Sequence, residues 1–312
     1  KSSSTDYSYG INPNKRSINE LLNYGIINVN KQAGPTSHQI VDNVKKILHI
    51  DKAGHSGTLD PKVTGVLVVS LGRATRIAEL LLKSGKEYIG IMHVHKELPI
   101  EQIFDAVEKF KGKIKQIPPV RSAVKRVERT RSIYYFDIIE IKGKDVLFRV
   151  GCEAGTYIRK LVSDIGKELK VGAHMAQLIR TKVGSFTHED WHNLHDIKDA
   201  HEFWREGKES YLREILLPIE NAVSHLPKIW VFDNVVSTLC HGSNLYLVGV
   251  SKLSENIKKG MIIAVMTLKE ELVGLMIAQM DSNQIFKSDQ GLVAKPNKIF
   301  MEINIYSNNK DK

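Results

Sequence analysis

Gly54-His55-Ser56-Gly57-Thr58-Leu59-Asp60-Pro61-Lys62-Val63-Thr64-Gly65 leads directly into the apolar run Val66-Leu67-Val68-Val69-Ser70. Glycines at 54, 57 and 65 let a backbone turn tightly and approach a ligand closely. Asp60 precedes a proline, which biases it away from helix and towards extended structure. The run that follows has the near-continuous apolar character of a strand buried on both faces. Together these features predict a carboxylate held on a stiff loop at the mouth of a buried sheet, a suitable mount for a nucleophile or general base. A surface loop whose aspartate bonds its own backbone fits the same spacing, and spacing alone does not separate the two.

Outward from this segment the chain alternates short strands and helices. Gly25 to Asn30 reads as a strand that enters the loop Lys31-Gln32-Ala33-Gly34-Pro35-Thr36-Ser37. Ser37 is positioned to cap a helix that places Ile40, Val41, Val44, Ile47 and Leu48 on one face. Tyr88 to Val94 is a second strand. Ile103 to Phe110 has helical period, with Ile103, Phe104, Val107 and Phe110 expected inward. Strands dominate from Ser132 to Cys152, a helix follows over Ile158 to Leu169, and a polar helix is expected over His201 to Leu217. Pro218 and Pro227 then punctuate the chain, which places a domain boundary near residue 225. Residues 228–305 alternate short apolar runs with glycines, the pattern of a small barrel. The expected division is an N-terminal arm over 1–20, a large domain over 21–225, a small all-β domain over 226–306 and a polar tail over 307–312.

Composition narrows the function. The 312 residues carry a net charge of +10, spread along the chain, which favours a polyanionic partner. The two cysteines, Cys152 and Cys240, are isolated, so neither a disulfide framework nor a zinc knuckle is suggested, and a reducing, cytoplasmic setting is expected. No apolar stretch approaches the roughly 20 residues needed to span a bilayer, and the polar N-terminus lacks the apolar core of a signal peptide. His192 and His195, beside Asp190 and Asp196, invite a metal reading, but a zinc site needs three or four converging ligands. No phosphate-cradling glycine loop followed by Lys-Ser/Thr is present. Neither a metal nor a cofactor is therefore expected.

Five motifs in order give a sharper reading: Gly34-Pro35-Thr36-Ser37-His38, Gly54 to Pro61, Lys86-Glu87-Tyr88, Pro118-Pro119-Val120-Arg121-Ser122-Ala123-Val124-Lys125-Arg126, and Gly155-Thr156-Tyr157-Ile158-Arg159. Over about residues 10–305 the chain resembles the dyskerin/TruB family of RNA pseudouridine synthases. The extended motif ending at Arg126 and the C-terminal module look like the archaeal and eukaryotic branch, which works with box H/ACA guide RNAs. The resemblance implies an α+β fold, with a mixed, mostly antiparallel central sheet and a small all-β PUA barrel. It implies isomerisation of specific uridines in ribosomal or transfer RNA. Its partners would be guide and substrate RNA, small H/ACA accessory proteins and a kink-turn-binding protein of ribosomal type.

Carried over by position, Asp60 matches the catalytic aspartate. Tyr88 matches the tyrosine that stacks on the target uracil and is a candidate to take a proton. Arg159 matches the arginine paired with the aspartate, expected here as a two-pronged hydrogen bond. Leu178 matches an apolar residue of the base pocket, and His55 sits in the loop that folds the substrate strand around the flipped uridine. Arg121, Lys125, Arg126 and Arg129, with Arg131, form a basic run that the family would use as a loop clamping the substrate strand. A solvated, charged sheet edge is the plainer reading of that run. The resemblance also has the N-terminal arm pack on the PUA domain.

Several positions depart from the family pattern. Gln32 stands for the usual proline after Lys31, so that loop is expected to be less rigid. Met261 replaces an aspartate after Gly260, Glu270 replaces a turn glycine, and Ile179 replaces an arginine before Arg180-Thr181. Two alternatives remain open on sequence alone. One is a guide-independent enzyme acting on the T arm of transfer RNA, and the other is a catalytically silent ribonucleoprotein scaffold.

Overall fold

The computed structural model describes residues 4–118 and 125–306, which form two compact units. The larger unit, residues 27–215, is built on a mixed, mostly antiparallel sheet. Its strands are β1 (Gly25–Lys31, entering from the smaller unit), β2 (Ala53–His55), β3 (Thr64–Leu71), β4 (Lys86–Val94), β5 (Gly112–Gln116), β6 (Arg129–Lys142), β7 (Asp145–Cys152), β8 (Ala173–Val183) and β9 (Phe186–Thr187). They run in the order β1-β3-β8-β4-β7-β6-β5, with β2 against β3 and β9 against β8. Every residue of β3 from Gly65 to Leu71 is buried, as its apolar run predicts.

One face of this sheet is covered by the helices Ile100–Glu108 and Ile158–Glu168. Leu161, Val162 and Ile165 of the second helix join Phe136, Phe148 and Met92 of the sheet in one core. Phe136 and Phe148 stack with ring centroids 4.8 Å apart. In the first helix Ile103 and Val107 point inward as expected, but Phe104 is 49% exposed and Ala106 takes the inward position instead. The helix begins at Ile100, three residues earlier than its period suggested, and its buried stripe is narrow.

Two further expectations need correction. Thr36, not Ser37, caps the helix Ser37–Leu48, through a reciprocal capping box with Gln39. Ser37 is the first helical residue, and its hydroxyl is buried elsewhere. The polar helix expected over 201–217 is two helices, Leu194–Arg205 and Ser210–Ile215, broken where Gly207 adopts φ +88°.

The smaller unit holds residues 216–306 together with the N-terminal segment up to Ile26. Its strands are β10 (Leu217–Pro218), β11 (Lys228–Val231), β12 (Leu245–Tyr246), β13 (Val250–Leu253), β14 (Ile262–Met266), β15 (Leu272–Ala278) and β16 (Leu292–Ile299). The last six of these pair in the order β12-β16-β15-β14-β11-β13. The glycine-punctuated apolar runs supply the core, with Ile229, Ile263, Val265, Val273 and Val293 fully buried.

The N-terminal segment ends in a short helix at Ile18–Tyr24. It is fixed by polar contacts within this unit. Thr5 Oγ1 and Asp6 N both donate to Asp233 Oδ2 at 2.8 Å. Ile11 N donates to the buried Glu271 at 3.0 Å. Arg16 and Glu220 form a nearly buried two-pronged pair at 2.7 and 2.8 Å. Among the described residues no helix is long and apolar enough to cross a membrane.

Candidate active site

Asp60 stands on the loop between β2 and β3, and three buried groups hold that loop. Ser37 Oγ accepts from Leu59 N at 2.8 Å and lies 3.3 Å from Leu59 O. The ammonium of Lys31, wholly buried, donates to Pro61 O at 3.1 Å, Val63 O at 2.9 Å and Gln32 O at 3.0 Å. Gly34 N adds a bond to Pro61 O at 2.9 Å. Arg180, 1% exposed, donates from Nη2 to Gly57 O at 3.0 Å and from Nε to Val66 O at 2.8 Å. The motif around Gly34 is thus the cradle in which residues 59–63 lie. With no proline at position 32, Lys31 anchors the segment.

Burial lowers the Lys31 ammonium below its usual range, an effect that neighbouring Asp60 opposes and Arg180 reinforces. The Asp60 carboxylate itself is more than half exposed. Arg159 meets it with Nη2 3.3 Å from Oδ2, and is similarly exposed. The contact is an ion pair and falls short of the two-pronged hydrogen bond expected from the family. Arg159 is the second residue of its helix, on the side away from the buried stripe of Ile158, Leu161, Val162 and Ile165. Gln116 fixes that helix start by bonding both the N–H and the carbonyl of Tyr157, at 3.0 and 3.2 Å. A cation in the first turn of a helix opposes the helix dipole, so helix stability does not explain Arg159.

Tyr88 lies on β4 with its cross-strand partner Arg180 on β8, which in turn pairs with Gly65 at the start of β3. Three adjacent strands therefore place the phenol, the buried guanidinium and the exit of the Asp60 loop in one row. The register slips by one residue between Glu87 and Tyr88, a bulge of the kind that re-aims a side chain near a site. The row needs Gly65: a Cβ there would sit 2.2 Å from Arg180 O, and φ is +112°. Burial pushes the Tyr88 phenol up, while the charge of its strand partner Arg180 pulls it down. Below it the buried Lys86 ammonium is pushed down to about 8, and it spends its protons on the carbonyls of Leu81, Leu82 and Ser84.

A cavity of about 860 Å³ opens beside this row, lined by Arg159, Leu178, Lys62, Thr64, Ile89 and Gly90 among others. Leu178 is half-buried, and the missing side chain at Gly90 makes room for it, because a Cβ there would lie 3.0 Å from Leu178 Cδ1. His55 is half-buried on β2, with its ring edge-on to His38 at 4.9 Å. Its Nδ1 accepts from Gly57 N at 3.2 Å, and burial holds its pKa below the ordinary histidine range, so the neutral ring carries its proton on Nε2.

The described part of the basic run divides between a loop and a strand. Lys125 and Arg126 are exposed and precede β6, which begins at Arg129, while Arg121 lies outside the described residues. Arg131 turns onto Glu153, with Nη1 3.4 Å from Oε1. His192 is a bridge partner of Val29, with its backbone bonded to Asn28 and Asn30, and His195 lies in the first turn of the helix that follows. Among the described residues no group of three or more His, Cys, Asp or Glu side chains is arranged to hold a metal ion. Sequence reasoning missed the roles of Arg180 and Lys31. The one signal for Arg180 was its place two residues after Leu178 on a strand, in step with it across the sheet pleat.

This combination of a carboxylate on a loop of a mixed sheet with a separate small β unit is the arrangement of an α+β enzyme with an accessory β domain, and the known proteins it matches are RNA-modifying enzymes. Residues 45–99 and 94–158 match the TruB family pseudouridylate synthase N-terminal domain, 159–224 the tRNA pseudouridylate synthase B C-terminal domain, 227–300 the PUA domain and 1–41 the DKCLD domain. A probable tRNA pseudouridine synthase B of Methanothermobacter thermautotrophicus is 50% identical over 98% of this chain and 95% of its own length. One of Pyrococcus abyssi is 50% identical over 95% and 90%. Among solved structures, an H/ACA RNP bound to a substrate RNA containing 2′-deoxyuridine matches with TM-score 0.90 and 45% identity over 98% of this chain and 94% of that one. A Cbf5-Nop10-Gar1 complex matches with TM-score 0.91 and 48% identity over 97% and 93%. The chain belongs to the TruB/dyskerin family of pseudouridine synthases.

Proposed function

We propose that this pseudouridine synthase isomerises specific uridines in RNA under the direction of a box H/ACA guide RNA, in the cytoplasm. The observation that carries this reading is the Asp60–Arg159 ion pair, with Arg159 and Leu178 lining one cavity. In the reaction the bond from uracil N1 to ribose C1′ breaks and a bond from C5 to C1′ forms. The C5 proton leaves, N1 gains one, and no atom is lost overall. Asp60 supplies the ionised carboxylate, as nucleophile at C1′ or C6 or as base at C2′. Arg159 keeps it charged and aligned. A target inside folded RNA must first be everted, at a cost of roughly a few kcal/mol, and stacking on Tyr88 offsets part of this. His55 and Leu178 shape the path of the everted nucleotide, and Lys125, Arg126 and Arg129 take substrate phosphates, with Arg121 in the same run.

In this reading residues 21–225 carry catalysis. Residues 226–306 grip the guide RNA, with the arm 1–20 laid on them through Asp233 and Glu271. The similarity to proteins solved with substrate RNA and with Nop10 and Gar1 supports small accessory proteins as partners. A kink-turn-binding protein of ribosomal type would join them. Both thiols, Cys152 and Cys240, are free and buried, in keeping with a reducing compartment.

The names of the curated relatives point to transfer RNA as a substrate, and a second reading has the chain isomerise it without a guide. Tritium release from RNA labelled at uridine C5 separates the two. The guided reading expects release only when guide RNA and accessory proteins are added. Release from transfer RNA by the chain alone would support the second, and no release under any condition would contradict both.

A further inference from the structure

Arg180 is among the largest fully buried side chains of the protein, and all its identified partners are neutral. Its donors go to Gly57 O and Val66 O, and across the sheet it is the strand partner of Tyr88. Among the described residues no carboxylate forms an ion pair with it. A buried cation without a counter-charge is costly to keep, and an apolar side chain of similar volume would satisfy packing alone. The reading above makes no use of it. Its neighbours, however, are specific: Gly57 lies three residues before Asp60, Val66 begins the buried run after the loop, and Tyr88, its strand partner, is the phenol of the site.

We infer that Arg180 is a positioning residue for the isomerisation, fixing the Tyr88 phenol against both ends of the loop that carries Asp60. As the cross-strand partner of Tyr88, with Nε and Nη2 committed to carbonyls on either side of the loop, it ties the phenol's strand to the loop. A planar fork suits this role, since one side chain reaches both carbonyls in fixed directions. Its charge also counters the upward push that burial gives the phenol. The inference rests on the proposed function and adds to it a residue that acts through Tyr88 and the loop without touching the substrate.

The test uses the full chain with guide RNA and accessory proteins, under single turnover, on substrate labelled at uridine C5. Four proteins are compared: wild type, Arg180→Lys, Tyr88→Phe and the double variant. Arg180→Lys is expected to slow isomerisation by about 10- to 100-fold while substrate-RNA affinity stays within about twofold. The double variant is expected to be slowed by clearly less than the product of the two single effects, because both changes disturb the same strand pair while Arg180 also holds the loop. Arg180→Met should be slower than Arg180→Lys, which retains a cation. If the methionine variant does not melt cooperatively, the lysine variant carries the comparison.

A double variant slowed by the product of the two single effects would overturn the inference. So would an Arg180→Lys rate equal to wild type, or an affinity loss that accounts for the whole rate loss. A wild type that makes no pseudouridine removes the functional reading itself, and this positioning role with it. An active wild type with multiplying effects removes the positioning role alone.

Discussion

Ser37 pins Leu59 through both of its backbone polar groups: its hydroxyl takes the Leu59 N–H at 2.8 Å and lies 3.3 Å from the Leu59 carbonyl. Leu59 immediately precedes Asp60, so a buried hydroxyl at a helix start sets where the carboxylate emerges. Ser37→Ala leaves the Leu59 N–H buried without its partner. A loss of about 1–3 kcal/mol in unfolding free energy is expected from denaturant titration, with a slower isomerisation rate in the same protein.

Gly65 permits the closest approach of β3 to β8. Gly65→Ala places a Cβ 2.2 Å from the Arg180 carbonyl at a φ of +112°. Backbone strain alone is worth about 1–3 kcal/mol, and the overlap adds to it. Thermal melting should show a marked drop, and amide exchange should show β3 and β8 losing protection together. An alanine variant with wild-type stability would mean that this strand contact is not as tight as described.

These two residues show what the sequence made legible. The glycine-rich stretch, the proline after Asp60 and the apolar run from Val66 were enough to place a carboxylate loop ahead of a buried strand. The ordered motifs singled out Arg159 as the partner of Asp60, 99 positions away, and the structure puts the two side chains in contact. Ser37 was misread because Thr36 and Ser37 are both good capping residues, and only the tertiary contact with Leu59 distinguishes them. Phe104 faces outward because periodicity gives the direction of a stripe but not its width. Arg180 and Lys31 were hidden for a deeper reason. A buried cation whose partners are backbone carbonyls leaves no complementary acid in the sequence to reveal it.

The Asp60–Arg159 pair is exposed on both sides, so its loss should cost little stability, within about 1 kcal/mol. Arg159→Met is therefore expected to melt close to wild type and yet isomerise on the order of 100-fold more slowly. Calorimetry and single-turnover kinetics on one preparation check both halves. A large stability loss would point to a structural role instead.

Burial lowers the folded-state pKa of His55, His192 and His201 below the ordinary value of 6.5. The unfolded chain then binds more protons than the folded one in this range. Stability should rise with pH up to about 6.5 and fall as the pH drops below it towards the folded-state values. For His55, protonation also ends its acceptance from Gly57 N, so the loop loosens together with the fold. Unfolding titrations between pH 5 and pH 8 should show this slope, and His55→Gln should flatten part of it.

The central claim is that the carboxylate at position 60 performs the isomerisation while other groups hold the RNA. Asp60→Asn keeps size and shape but removes the charge. With guide and substrate RNA and the accessory proteins present, this variant should bind substrate within about twofold of wild type and release tritium on the order of a thousandfold more slowly or not at all. Release at the wild-type rate from a variant that binds equally well would contradict the account.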